Sequence, residues 1–133
     1  MIKDIPVNEV KNVAVAIVRE GDEHSEDWNV YLINLNDFPI TGVFITSKGY
    51  GELNNEVRKT SELRWFYENI PAREVVKVEA IVEDVFGLHN EYWVSYYIGT
   101  EIFDKRFIFL AESIKPENFT NIPVLNERGV MIS

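Results

Sequence analysis

The stretch "EYWVSYYIGTEIFDKRFIFL" (residues 91–110) reads as two β-strands joined at Gly99-Thr100. A two-residue turn with glycine first sets Ile98 opposite Glu101 and fixes every pair outward from there. Tyr92, Val94, Tyr96 and Ile98 then share a face with Phe103, Phe107 and Phe109, which is apolar enough to be the packed side. Trp93, Ser95 and Tyr97 share the other face with Ile102, Asp104, Arg106 and Ile108. Rings thus occupy both faces of the first strand, and one face is left to contact something other than the core. That outer face is amphipathic, with Trp93 opposite Arg106 as a cation–π pair worth about 0.5–1 kcal/mol where exposed. Aromatic rings and arginine are the composition of binding hot spots, since rings bury much area at low entropic cost. Trp93, Tyr97, Ile102, Arg106 and Ile108 are therefore the candidate contact residues. Two other fates for the face are cover by Phe119 to Ile132 or by Ile2, Ile5 and Val7, and stacking of RNA bases on Trp93 and Tyr97.

The same period-2 reading extends upstream. "NVAVAIV" (12–18) is a near-continuous valine-rich run, short for a helix, and predicts a buried strand. "WNVYLINL" (28–35) alternates and ends at "NDFP", whose Asn36, Asp37 and Pro39 supply turn chemistry. "ITGVFITS" (40–47) follows with β-branched residues and is expected to stop at "KGYG", making a hairpin with the strand before it. "TSELRWFYENI" (60–70) fits both a helical and a strand spacing. Its neighbours favour a strand, with a short helix over 56–64 as the alternative. "EVVKVEAIVEDVF" (74–86) is another alternating run, and after Pro116 apolar residues are scattered without a steady period.

About seven short strands separated by Gly, Pro, Asn and Asp turns predict an all-β, antiparallel β-sandwich. The segment "NIPAREVVKVE" resembles the proline-containing bend by which immunoglobulin-like sandwiches cross between sheets. An antibody-type domain is excluded, because the disulfide and its packing tryptophan are missing. The expected organisation is an N-terminal arm over 1–9, the sandwich domain over 10–115, and a C-terminal tail over 116–133 packing on the domain.

The 133 residues fit one domain, and 46% hydrophobic residues with eight Phe, six Tyr and three Trp supply one core. Twenty-two acidic side chains against 13 basic ones give a net charge of -9, which repels phosphate backbones and anionic lipid. Nucleic acid and membrane are thus not expected as partners. The absence of cysteine removes disulfides, thiolate catalysis and cysteine-bound zinc together. "MIKDIPVNEV" lacks a basic region followed by a long apolar stretch, and "VAVAIV" is too short to span a bilayer. A cytoplasmic protein is expected, in which the sequon Asn118-Phe119-Thr120 has no role.

"WNVYLINL", "TSKGYGE", "VFGLHNEYWVSYY", "DKRFIF" and "FTNIP…RGVMI" together resemble a family of short, uncharacterised bacterial proteins. Some members carry an automatic phenylalanyl-tRNA synthetase alpha-chain label. The resemblance implies a synthetase-related accessory protein and assigns no site residue.

Three motifs bear on chemistry. "TSKGYGE" (46–52) follows a strand as phosphate loops do, but Lys48 precedes Gly49 and Gly51 instead of closing a glycine-framed loop before Ser or Thr, so a turn or bulge is expected. "EGDEHSED" (20–27) gathers Glu20, Asp22, Glu23, Glu26 and Asp27 around His24 without the spacing or central glycine of a calcium loop, which reads as a solvated hairpin loop. "EDVFGLHNE" (83–91) sets Glu83, Asp84, His89 and Glu91 near one turn, the composition of a metal or acid–base site if folding converges them. Ser47, Ser61 and Ser95 have no base within a motif. No catalytic residue, metal ligand or cofactor is assigned. The sequence reads as a binding domain more than as an enzyme, taking a protein partner or a second copy of itself through the outer hairpin face. A metal-dependent or acid–base enzyme built on the 83–91 loop is the alternative.

Overall fold

The computed structural model describes residues 8–21 and 27–133. Among the described residues ten strands follow one another: β1 (Val13–Glu20), β2 (Asp27–Asn34), β3 (Ile40–Leu53), β4 (Glu56–Lys59), β5 (Leu63–Ile70), β6 (Val75–Ile81), β7 (His89–Ile98), β8 (Glu101–Phe109), β9 (Thr120–Ile122) and β10 (Glu127–Ile132). Short 3-10 turns at Glu83–Val85 and Pro116–Asn118 are the helical segments among the described residues. The first sheet has the order β6-β2-β1-β10-β9. The second has the order β4-β3-β7-β8, with β5 also on β3, and every ladder between named strands is antiparallel. The all-β sandwich read from the strand periodicity is thus the architecture of the chain.

The valine-rich run explains itself by position. β1 sits in the middle of the first sheet with Val13, Val15 and Ile17 in the core between the sheets, while Ala14, Ala16 and Val18 lie in a second buried cluster with Ile33 and Ile122. A strand buried on both faces has no use for polar alternation. Opposite it, Val43, Ile45, Tyr92, Val94, Tyr96, Phe107 and Phe109 close the core from the second sheet.

Several expectations about connection change. Strands β2 and β3 do not form a hairpin: they lie in different sheets, and 35–39 is a crossing between them. The buried side chain of Asn34 holds this crossing, as its amide donates to the carbonyls of Phe38, Ile70 and Pro71 at 3.0–3.2 Å. The second crossing, from β5 to β6 through Pro71, is the proline bend read from the sequence. Strand β3 does not stop at "KGYG" but runs on to Leu53, and the reversal comes at Asn54-Asn55, both at left-handed φ (54° and 64°). Asparagine tolerates that region because its short polar side chain bonds locally. The strand β4 then occupies part of the span where a helix over 56–64 was the alternative. Strand β5 adopts the extended reading of its ambiguous spacing, with Trp65 and Tyr67 packed on the core.

β4 and β5 share one edge of β3, separated by a break at which Thr60 and Gly49 exchange bonds: Thr60 N–H to Gly49 O at 2.9 Å, and Gly49 N–H to Thr60 Oγ1 at 2.7 Å. Residues 116–133, expected as a tail packed on the domain, instead supply β9 and β10, with β10 hydrogen-bonded between β1 and β9. At the other end Asn8 bridges Phe103 of β8, its side chain donating to Ile102 O at 2.9 Å. Residues 1–7, with Ile2, Ile5 and Val7, lie outside the described residues, as do 22–26 of the acidic "EGDEHSED" segment with His24.

Candidate interaction face

The hairpin of β7 and β8 has the expected register throughout, from Ile98↔Glu101 to Trp93↔Arg106 and Tyr92↔Phe107. Gly99 carries φ +61°, the conformation that the first central position of this turn demands. The inner residues are core, with Tyr92, Val94, Tyr96 and Phe107 at 0–1% exposure. The outer ones are open: Trp93 is 41%, Tyr97 42% and Ile102 52% exposed. Arg106 is exposed as well, and Ile108, across from Glu91, is half-buried. Phe119 and Ile122 to Ile132 are placed elsewhere, Phe119 edge-on against Trp28 and the rest in the first sheet.

Trp93 is fixed rather than loose. The Arg106 guanidinium lies 4.3 Å from its ring centroid, and its indole N–H donates to the carboxylate of Asp104. Tyr97 rests on the backbone of β3, where the ladder shifts register between Thr41 and Phe44. A Cβ on Gly42, which has φ +53°, would stand 3.2 Å from the Tyr97 ring. Only glycine lets the strand bulge there with the ring this close to it.

Sheet pairing adds two residues that the hairpin alone does not reveal. Phe44 on β3 and Phe66 on β5 are 56% and 55% exposed, with ring centroids 4.7 Å apart. Phe66, Phe44, Ser95 and Asp104 form one row across four strands, and Arg64, Thr46, Trp93 and Arg106 form the next. The signal was present in β3, where inward Val43 and Ile45 oblige Phe44 to face out. The result is a band of four exposed rings and Ile102, flanked by Arg64 and Arg106.

The other candidate residues are not drawn together. The Glu83 carboxylate accepts the Trp28 indole N–H at 3.1 Å, and Asp84 is exposed. His89 Nδ1 accepts the Ala111 backbone N–H at 3.0 Å. Glu91, 6% exposed, accepts the Tyr50 hydroxyl at 3.3 Å and pairs with Lys48 at 3.7 Å. Among the described residues no three of His, Asp and Glu are placed to share a cation. Lys48 and the glycines beside it belong to β3 and not to a phosphate loop. Ser95 lies on the outer face between Phe44 and Asp104, while Ser47 and Ser61 line a cleft on another side.

That cleft, of about 240 Å³, opens where β6, the edge of the first sheet, faces the β4–β5 break. On its inner wall Glu79 accepts the Tyr92 hydroxyl at 2.8 Å, and Ser47 lines the same cleft. Burial raises the Glu79 carboxyl above its ordinary 4.5, against the lowering effect of the Tyr92 and Ser47 hydroxyls, and burial beside Glu79 raises the Tyr92 hydroxyl. The sign follows by linkage: the stability that proton uptake contributes is complete below the unfolded value of 4.5 and is lost as pH rises through the folded value. Glu79→Gln, neutral throughout, is expected to be more stable than wild type at neutral pH and equal to it below pH 4.5. Urea midpoints of both proteins at neutral and acidic pH check this, and a variant less stable at neutral pH contradicts it.

Comparison with family models, curated proteins and solved structures returned no match.

Proposed function

We propose that the chain is a protein-binding module whose contact surface is the outer face of the second sheet. The observation that carries this is the exposed band of Phe44, Phe66, Trp93, Tyr97 and Ile102, whose rings are held in place before any partner arrives. Contiguous apolar exposure of this kind marks interaction sites, and prefixed rings lose little entropy on binding. A protein surface suits the band better than RNA: Asp104 sits beside Trp93, Arg106 is engaged by the indole, and the chain carries a net charge of -9.

The synthetase-related reading needs arginines free to clamp phosphates. Here Arg58, Arg64 and Arg73 pair with Glu56, Glu62 and Asp37, and Arg128 donates to Phe119 O. We read the sandwich as immunoglobulin-like on its strand order, since β6-β2-β1 against β5-β3-β7-β8 follows the alternation of sheets in that fold, with β9 and β10 added beside β1. No helix among the described residues is long and apolar enough to cross a membrane. A cytoplasmic location rests on the cysteine-free, acidic composition.

The test is Trp93→Asp beside wild type. Sedimentation first reports self-association, and immobilised protein then captures partners for quantitation, with circular dichroism confirming the fold of the variant. Loss of about thirtyfold or more in affinity is expected, the scale of removing one hot-spot anchor. A folded variant that associates and captures as wild type does would refute the reading.

A further inference from the structure

The cleft at the open edge of the sandwich has a composition different from the outer face and is independent of it. Its walls are Leu63, Ala80, Ile81, Val82 and Val85, with the Glu79 carboxylate, Tyr92 and Ser47 at one side. An ionised carboxylate has about four acceptor positions, and the Tyr92 hydroxyl fills one of them. Among the described residues no lysine or arginine forms an ion pair with Glu79. The protein therefore keeps an acid with acceptor capacity to spare at the wall of a largely apolar cleft, and the lysine that lines this cleft, Lys48, is paired with Glu91 instead.

From this arrangement we propose that the cleft binds a small alkyl amine, its ammonium on the Glu79 carboxylate and its hydrocarbon against Leu63, Ile81, Val82 and Val85. An anion would meet the carboxylate, and a polyol would leave its hydroxyls against apolar walls, so both are disfavoured. A neutral alcohol fits the walls but cannot supply the charge that holds Glu79 ionised, and hydrogen bonds between charged groups are the stronger ones. The raised pKa of Glu79 agrees with this, since a bound ammonium would remove much of the cost of ionising a partly buried acid. Size limits the ligand as well. A volume of about 240 Å³ is below the ~300–1,000 Å³ of sites for drug-sized ligands, so the ligand is a small one. The Thr60–Gly49 exchange fixes the lip of the cleft, so the site is formed before the ligand enters.

The test is a methyl NMR titration of the whole chain at neutral pH with butylamine, butanol and butyrate, matched in carbon skeleton. Butylamine is expected to shift the Leu63, Ile81 and Val85 methyls saturably and about tenfold more tightly than butanol, with butyrate inert. Glu79→Gln should keep its fold and lose the preference for amine over alcohol. Ala80→Trp, which fills the rim from an exposed strand position, should abolish both responses. Nα-acetyl-lysinamide distinguishes a free amine from a lysine side chain as the natural source: tighter binding than butylamine assigns the site to lysine, and weaker binding to the free amine. Equal response to amine and alcohol, an unchanged preference in Glu79→Gln, or silent methyls in large amine excess would each overturn the proposal.

Discussion

Gly129→Ala is expected to cost about 3 kcal/mol or more, a large part of the stability of a domain this size. A Cβ on Gly129 would stand 2.3 Å from the carbonyl oxygen of Ile17 and 3.0 Å from the Cα of Val18. Both are backbone atoms of β1, which is hydrogen-bonded on each side and buried on both faces, so neither has anywhere to go. A flexible side chain in the same place would swing away, but a central strand must shift together with its sheet. Gly99→Ala is the control. No atom lies within 4 Å of the added methyl there, and only the left-handed φ of +61° opposes it, a cost of about 1–2 kcal/mol. Urea midpoints of the two variants against wild type measure the difference. Equal losses would show that the sheet yields at Gly129 and that the steric argument fails.

A comparable loss, again about 3 kcal/mol, is expected for Asn34→Ala. The side chain is fully buried and serves two of the crossings between the sheets, β2 to β3 and β5 to β6. Its amide reaches Phe38 O at 3.0 Å, Ile70 O at 3.2 Å and Pro71 O at 3.0 Å, while its oxygen accepts the Asn36 N–H at 3.0 Å and the Asn36 side-chain amide at 2.9 Å. Removing it strands several buried polar groups at once, each costing about 1–3 kcal/mol before relaxation. Asn34→Asp retains the acceptor but turns a second oxygen toward three carbonyls, so at neutral pH it should be no better than alanine. Thermal unfolding gives the size of the effect. Hydrogen exchange gives its place: the amide of Arg73, bonded to Asn36 O at 3.2 Å, should lose protection in both variants, and retained protection would mean that Asn34 is not the tie.

These two residues also mark where reading the sequence stops. Alternation and a single glycine sufficed for the β7–β8 hairpin, because its register depends on residues next to one another. β1 was readable for the same reason, its valine run being a statement about burial on both faces. By contrast, "WNVYLINLNDFPITGVF" looks the same locally whether it is a hairpin or a crossing. The difference lies in the bonds of Asn34 to Ile70 and Pro71, thirty-six and thirty-seven positions away. The Asn54-Asn55 turn was hidden because neither residue is glycine, and β9 because three residues carry no period. The proposed contact face was half visible: Trp93, Tyr97, Ile102, Arg106 and Ile108 follow from one hairpin, whereas Phe44 and Phe66 join them only once β3 lies between β5 and β7. The cleft was not visible at all, since its lining comes from β3, the β4–β5 break, β6 and β7.

The partnership of β1 with β10 governs the order of events during synthesis. Val15 pairs with Ile132 and Val18 with Gly129, so one of the earliest described strands must wait for one of the last before its second edge is occupied. Until then a ribosome-bound chain presents the flank of Ala14–Val18 as an unpaired, apolar template, the kind of edge on which chains aggregate. Closing a loop of that length before any of its contacts form is also slow, which places folding in the millisecond-to-second range typical of sandwiches. Production of this protein is therefore sensitive to the interval between the emergence of β1 and the arrival of Ile132 beside Val15.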